Sequence, residues 1–157
     1  MRDTGLQEFR QAVEQFSKKR NGLWRKPSRQ FMEWVHRQRI PAWLKIHVLE
    51  GSLTRTTHVG VAYFYSPARI RKENQDYPEI RKHGYFQVGS AFDGDPLVVR
   101  FREDPGAVGY LSHDALWRDR HDREVLFFKV AGSVGKYAMM AKEILGCPID
   151  FYGTMPK

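Results

Sequence analysis

GYFQVGSAFDGDPLVVRFR, residues 84–102, is the stretch that decides the fold. Both of its halves alternate apolar side chains with a period of two and use β-branched and aromatic residues, which is typical of β-strands. The centre reads Phe92-Asp93-Gly94-Asp95-Pro96. An Asp-Gly pair between two alternating runs indicates a tight hairpin, because glycine adopts a positive φ without a steric penalty. Pro96 lacks a backbone N–H and therefore belongs at the start of the second strand. The stretch predicts an antiparallel hairpin in the middle of a sheet.

Segments on both sides of the hairpin extend the predicted sheet. Residues 59–65 alternate Val, Val, Tyr and Tyr with smaller or apolar residues, which predicts a strand upstream. Downstream, the turn-forming residues 103–106 separate the hairpin from a predicted strand at 108–111. Residues 125–130 are apolar enough for a last strand or for the entry into a final helix.

Helical periodicity marks the N-terminal third of the chain. Apolar residues recur at spacings of three and four within residues 1–22, which predicts a helix from about Asp3 to Lys19. Ser28 is the expected N-cap of a second helix. Residues 42–49 fit either a short helix or a strand, and a helix that opens at Pro41 is preferred. A further short helix is expected from Pro67, followed by a loop at 77–80.

A long final helix is predicted after Ser133, with an apolar stripe that continues to Ile144 and Leu145. Gly146 should end it, and residues 149–157 are expected to form a loosely held tail. Helices first, an antiparallel meander in the middle and a helix last predict one α+β domain over residues 1–157. Its single antiparallel-rich sheet should have helices packed on one face.

Composition limits the class of protein. A chain of 157 residues with 41% hydrophobic and 13% aromatic residues can bury a core, which argues against disorder. No apolar run reaches the length of a membrane helix, and the N-terminus has no signal-peptide core. A single cysteine, Cys147, excludes an internal disulfide, so we expect a cytoplasmic protein. The net charge of +8 indicates either a polyanionic partner or simple solubility.

Residues with chemical potential do not form a recognisable catalytic or metal motif. Ser112-His113-Asp114 contains the residue types of a triad, but contiguous side chains do not converge as triads do, and a capping turn is favoured. Asp93 and Asp95 match a turn better than a calcium or acid–base site. The six histidines show no zinc-binding spacing, and Cys147 has no base assigned by spacing. We therefore predict no catalytic residue, no metal and no cofactor.

The central stretch also has a family resemblance. The segments Gly84-Tyr85-Phe86-Gln87-Val88-Gly89-Ser90 and Gly94-Asp95-Pro96-Leu97-Val98-Val99, followed by Val108-Gly109-Tyr110-Leu111-Ser112-His113, resemble the SUKH superfamily, the group that includes the Smi1/Knr4 domain. The resemblance implies the same α+β layout. Bacterial members are immunity proteins that bind and neutralise a cognate toxin, and fungal relatives are signalling scaffolds. It therefore implies a non-catalytic protein-binding domain with a toxin domain as its partner, whose active site or substrate path it would occlude.

Interface hot spots are rich in aromatic and arginine residues, which suggests a set of partner-binding residues on polar loops. The set is Tyr65, Tyr85, Trp117, Arg118 and Arg120. The hairpin motif residues are interpreted as structural. They are Gly89, Asp93, Gly94, Asp95 and Pro96.

The positive charge is unexpected for an inhibitor of a basic nuclease, which should be acidic to match its target. A basic nucleic-acid-binding accessory domain is therefore one alternative function. A small hydrolase built on His113 and Asp95 is another, and it requires those two side chains to meet in a pocket.

Overall fold

The computed structural model describes residues 4–17, 21–117 and 127–156, without the side chains of Ala115 and Trp117. The helices in this part of the chain are α1 Leu6–Phe16, α2 Arg29–Arg37, α3 Ala42–Glu50, α4 Pro67–Asp76, α5 Pro78–Lys82, α6 His113–Trp117 and α7 Val134–Lys142. The strands are β1 Thr57–Val59, β2 Ala62–Phe64, β3 Tyr85–Ala91, β4 Pro96–Arg100, β5 Val108–Leu111 and β6 Phe127–Ala131. None of the described helices has both the length and the apolar composition needed to span a bilayer.

The six strands form one sheet in the order in which they occur along the chain, and every neighbouring pair is antiparallel. The predicted central hairpin is confirmed as β3–β4, in which Ser90 lies opposite Pro96 and Phe86 lies opposite Val99. Gly94 takes a φ of +99° in its turn, and Pro96 is the first residue of β4. The α+β fold class is therefore confirmed.

The main core lies between one face of the sheet and helices α1, α2, α3 and α7. The sheet contributes Phe86, Val99 and Tyr110 to it, and α7 contributes Tyr137. Adjacent residues of a strand point to opposite faces. Accordingly, a second, smaller cluster on the other face joins Tyr85, Val98 and Leu111 to Ile80 of α5.

Helix starts follow local chemistry, as predicted. The Ser28 hydroxyl accepts a hydrogen bond from the Phe31 N–H at 3.1 Å, and the Ser133 hydroxyl accepts one from the Lys136 N–H at 3.1 Å. Pro41 is the N-cap residue of α3, which confirms the helix preferred for residues 42–49. These caps satisfy N–H groups that a first helical turn otherwise leaves without partners.

Two elements differ from the sequence-based expectation. Residues 59–65 are not one strand: they hold the end of β1, the turn and β2 of the β1–β2 hairpin, because Gly60 takes a φ of +59° and reverses the chain. A two-residue turn leaves the alternation of apolar residues nearly intact, so the break is hidden in the pattern. The pattern predicts a loop at 77–80, but Pro78 begins α5, whose proline occupies the first turn where no N–H is needed.

The predictions for both ends of the chain also differ from the structure. Helix α1 begins at Leu6, after Gly5, and ends at Phe16, whereas the predicted bounds Asp3 and Lys19 lie outside the described residues. Helix α7 ends at Lys142, so it is not long, and Ile144 lies beyond it. In the C-terminal segment, where a loosely held tail is predicted, the Phe151 N–H donates to Asp95 and the Ile149 N–H donates to the Thr154 carbonyl.

The single cysteine is part of the interior. Cys147 is buried in the main core, where it packs as a small apolar residue. Burial raises the pKa of the Cys147 thiol to about 11. The group is therefore a neutral thiol near pH 7.

Candidate protein-binding surface

Two of the predicted partner-binding residues are interior. Tyr65 is 6% exposed and Tyr85, the first residue of β3, is 5% exposed, so their side chains are interior and do not lie on polar loops within reach of a partner. The Tyr65 hydroxyl accepts a hydrogen bond from Gln87 Nε2 at 3.4 Å, and the Arg69 guanidinium lies over its ring. Tyr85 packs in the smaller cluster with its ring 5.1 Å from that of Phe127.

The other three predicted residues stay predictions. Trp117 is the last residue of α6, and its side chain is not among those described. Arg118 and Arg120 lie outside the described residues.

The hairpin motif residues have structural roles. A Cβ at Gly89 would overlap the Tyr63 carbonyl oxygen and lie 3.2 Å from its carbonyl carbon, so only glycine lets β2 approach β3 this closely. The register of β3–β4 shifts between Gln87 and Gly89. In the turn, the Asp93 carboxylate accepts a hydrogen bond from the Asp95 N–H at 3.1 Å.

Asp95 joins three segments of the chain. Its carboxylate is buried, with 2% of the side chain exposed. Oδ1 accepts hydrogen bonds from the His113 backbone N–H at 3.0 Å and from His113 Nδ1 at 2.5 Å, and Oδ2 accepts one from the Phe151 N–H at 2.8 Å. A buried carboxylate is tolerated when such donors replace its hydration. Asp95 thereby holds the β3–β4 turn, the start of α6 and the C-terminal segment together.

His113 lies at the edge of a cavity of about 250 Å³. Arg69, Glu73 and Gln87 also line this cavity, and the buried Gln87 Oε1 has no hydrogen-bond partner among the described residues. An aspartate that fixes one imidazole nitrogen is the arrangement that orients a general base. The two side chains of the hydrolase hypothesis are in contact, but only His113 is among the residues that line this cavity, and the hypothesis stays a prediction. The hydrogen bonds of Asp95 to two backbone N–H groups give it a structural role in either case.

The hydrogen bond between Asp95 and His113 should change the pH at which His113 titrates. The hydrogen bond from His113 to Asp95 raises the pKa of the imidazole above its ordinary value of about 6.5. We expect its NMR titration midpoint above 6.5 in the folded protein, and lower in Asp95→Asn. Asp114→Asn is the control, because Asp114 lies 3.3 Å from Nε2 but is 57% exposed, so its removal should lower the pKa less.

The raised pKa of His113 also determines the direction in which its contribution to stability changes with pH. A pKa raised by folding stabilises the native state fully below the unfolded value of about 6.5. This stabilisation is lost as the pH rises through the folded-state pKa of His113. The side chain is 42% exposed, so solvent screening keeps the effect small. A midpoint at or below 6.5, or one unchanged by Asp95→Asn, would contradict the assignment.

A different surface has the properties of a protein-binding site. We define the apolar patch as Phe16, His58, Tyr63, Phe92 and Ile144. Phe92 is 63% exposed and Ile144 is 51% exposed, although large apolar side chains are usually buried. The Tyr63 ring stacks on the His58 ring at 4.8 Å and on the Phe92 ring at 6.1 Å, while Phe16 meets His58 edge-on at 6.0 Å.

The apolar patch borders a groove of about 270 Å³ whose lining is almost entirely apolar. Gly60 and Val61 contribute the β1–β2 turn, and Phe92 contributes the tip of the β3–β4 hairpin. Ile144 and Ile149 contribute the chain after α7. The tips of β1–β2 and β3–β4 meet because Ala62 pairs with Ala91, which brings the start of β2 beside the end of β3.

The sequence patterns miss this surface for two reasons. They place Phe92 within the turn, although a large aromatic residue next to Asp-Gly projects from a hairpin tip into solvent. They also place Ile144 in the buried stripe of the final helix, but the helix ends at Lys142. The position of Phe92 directly before the turn-forming pair Asp93-Gly94 is the one sequence feature that indicates an exposed aromatic side chain at the hairpin tip.

An exposed cluster of stacked rings beside an apolar groove is suited to receive apolar side chains of another protein. It offers few polar groups with which to orient a polar substrate.

Comparison of this chain with protein-family models, with curated proteins and with solved structures finds no match.

Proposed function

We propose that this chain is a protein-binding domain of the SUKH type, which neutralises a bacterial toxin by docking on it through the apolar patch. The exposure of Phe92 and Ile144 beside an apolar groove is the observation that supports this proposal. Burying apolar surface stabilises a complex by about 25 cal/mol per Å² before the costs of association. Aromatic side chains held against one another lose little conformational freedom on binding, which favours them as hot spots.

Charge favours one kind of partner for the patch. The chain has a net charge of +8, so a second copy would be repelled and an acidic protein attracted. The proposed partner is therefore an acidic toxin domain that presents an apolar side chain to the groove. This chemistry reconciles the basic composition with an inhibitory role, because an acidic target requires a basic inhibitor.

Neutralisation in this proposal is stoichiometric. The domain binds the toxin and covers its active site or the path of its substrate, and no chemical step is needed. The SUKH resemblance of residues 84–113 supports this mode of action.

The test uses the purified product of the neighbouring gene, which this proposal expects to be a toxin domain. Phe92→Asp and Ile144→Asp should each weaken its binding at least about 30-fold in isothermal titration, because truncated hot spots cost about 2 kcal/mol or more. Both side chains are more than half exposed, so the melting temperature should change little.

Gln30→Asp is the matched control, since it adds the same charge on an exposed position of α2, which packs on α3 and α4. Its affinity should stay close to that of the wild type. The proposal would be wrong if the neighbouring gene encoded no toxin, or if both patch variants bound the toxin and protected a bacterial host as the wild type does.

A further inference from the structure

Five basic residues border a second depression, of about 380 Å³. We call it the cationic depression, and its basic residues are Arg37, Arg39, Arg81, Lys82 and Arg102. They come from three places: the end of α2 with the residues that follow it, α5, and the segment after β4. Charges from three elements at one depression repel one another, which raises the energy of the unliganded surface.

Some basic residues elsewhere in this chain are neutralised locally. Arg29 pairs with Glu33 at 3.0 Å, and Arg69 pairs with Glu73 at 2.7 Å, each one helical turn away. Around the cationic depression, within the part of the chain that the structure describes, only Lys82 has a carboxylate partner. Four of its five basic residues therefore have no carboxylate partner among the described residues, so this surface keeps its positive charge.

Two of the guanidinium groups are held by neutral acceptors. Arg81 Nη1 donates to the side-chain carbonyl of Gln38, and Arg102 Nη1 donates to the Lys82 backbone carbonyl at 3.0 Å. Gln38 is itself fixed, because its Nε2 donates to the Trp34 carbonyl at 2.8 Å. A neutral acceptor orients a guanidinium without cancelling its charge, as supporting contacts do in a binding site.

Arg81 also has an unused donor. Its Nε is buried and has no hydrogen-bond partner among the described residues. Burial lowers the pKa of the Arg81 guanidinium, so its charge is partly desolvated without a compensating anion. A partly desolvated guanidinium whose orientation is fixed is a strong anion ligand, because its fork matches oxyanions.

We propose that the cationic depression binds the terminal phosphate of a small polyphosphate ligand, such as a nucleoside triphosphate or a short polyphosphate chain. A carboxylate offers two oxygens and one charge. A phosphodiester also has one charge and only two unesterified oxygens, whereas a terminal phosphate offers three acceptor oxygens and nearly two charges. Five cations around one depression favour the group with more oxygens and more charge. The volume falls in the range of small-ligand sites. This site is separate from the apolar patch and goes beyond the proposed function.

The test titrates the full chain with sodium tripolyphosphate and with ATP, at constant ionic strength, by calorimetry. We expect saturable one-to-one binding to at least one of them and a rise in melting temperature, because a ligand of the native state stabilises it. Arg81→Gln should weaken binding at least about tenfold, since it removes a charge-assisted fork. Arg39→Gln is the second variant, because Arg39 is exposed and its replacement should not disturb folding, and it should also weaken binding.

Arg55→Gln is the control, because it removes one exposed positive charge from the α3–β1 loop. It should leave the affinity unchanged. Tighter binding of ATP than of tripolyphosphate would identify a nucleotide as the source of the phosphate, and equal binding would identify the polyphosphate chain. The proposal would be overturned if Arg55→Gln and Arg81→Gln lost the same affinity, or if neither probe bound at millimolar concentration. Preferential binding of a random oligonucleotide would also overturn it.

Discussion

Asp95→Ala should lower the free energy of unfolding by about 3–4 kcal/mol, a large share of the 5–15 kcal/mol that typically stabilises a domain. The substitution leaves the N–H groups of His113 and Phe151 without their acceptor. Each buried donor that loses its partner costs about 1–3 kcal/mol. His113 Nδ1 loses its acceptor too, but water can replace it because the ring is partly exposed.

Urea denaturation followed by tryptophan fluorescence measures this effect. Asp95→Asn should fall between the wild type and Asp95→Ala, since the amide oxygen accepts hydrogen bonds from one segment while the NH₂ group cannot accept from the other. Asp93→Ala is the control from the same turn, because Asp93 is exposed and accepts only the Asp95 N–H, and it should cost about 1 kcal/mol or less.

A loss below about 1 kcal/mol for Asp95→Ala would mean that the three-segment contact adds little to stability. Hydrogen exchange gives a second readout of the same contact. The Phe151 amide should lose protection in Asp95→Ala and keep it in Asp93→Ala, because only the first substitution removes its acceptor.

Local patterns predicted the parts of the fold whose causes are local. The hairpin at Asp93-Gly94, the caps at Ser28 and Ser133 and the helix after Pro41 depend on side chains within a few residues of the backbone that they organise. The sequence predicts each of these features because none of them depends on contacts with distant residues.

Burial of the aromatic residues is decided by tertiary contacts. Period-two alternation separates Tyr85 from Phe86 by face, but it does not say whether a helix covers the second face. Here Ile80 of α5 covers Tyr85, and the sequence pattern does not predict α5. Without that helix, alternation leaves Tyr85 at the surface.

Contacts between distant residues account for what was missed at the candidate sites. The Asp95–His113 pair joins residues 18 positions apart, and the apolar patch assembles from α1, two hairpins and the chain after α7. Side-chain types suggested the chemistry of the Asp95–His113 pair but not the apolar patch, because only the sheet register brings the tips of β1–β2 and β3–β4 together.

Gly60→Ala should be more damaging still, with an expected loss of at least about 4 kcal/mol, because two independent costs add. Gly60 takes a φ of +59°, where a residue with a Cβ is strained by about 1–2 kcal/mol. The added Cβ would also overlap the Ala141 carbonyl oxygen and lie 2.5 Å from the carbonyl carbon. That carbonyl accepts the Val61 N–H at 3.1 Å, so α7 cannot retreat without breaking the hydrogen bond that docks it on the β1–β2 turn.

Two glycines separate these costs in the same denaturation experiment. Gly94 has a φ of +99° and open space where a Cβ would lie, so Gly94→Ala should show backbone strain alone, about 1–3 kcal/mol. Gly132 has neither constraint, and Gly132→Ala should change stability by less than about 1 kcal/mol. If Gly60→Ala cost no more than Gly94→Ala, the end of α7 would be free to shift. The close approach at Gly60 would then not be what positions Ile144 beside Phe92, because the groove would form without it.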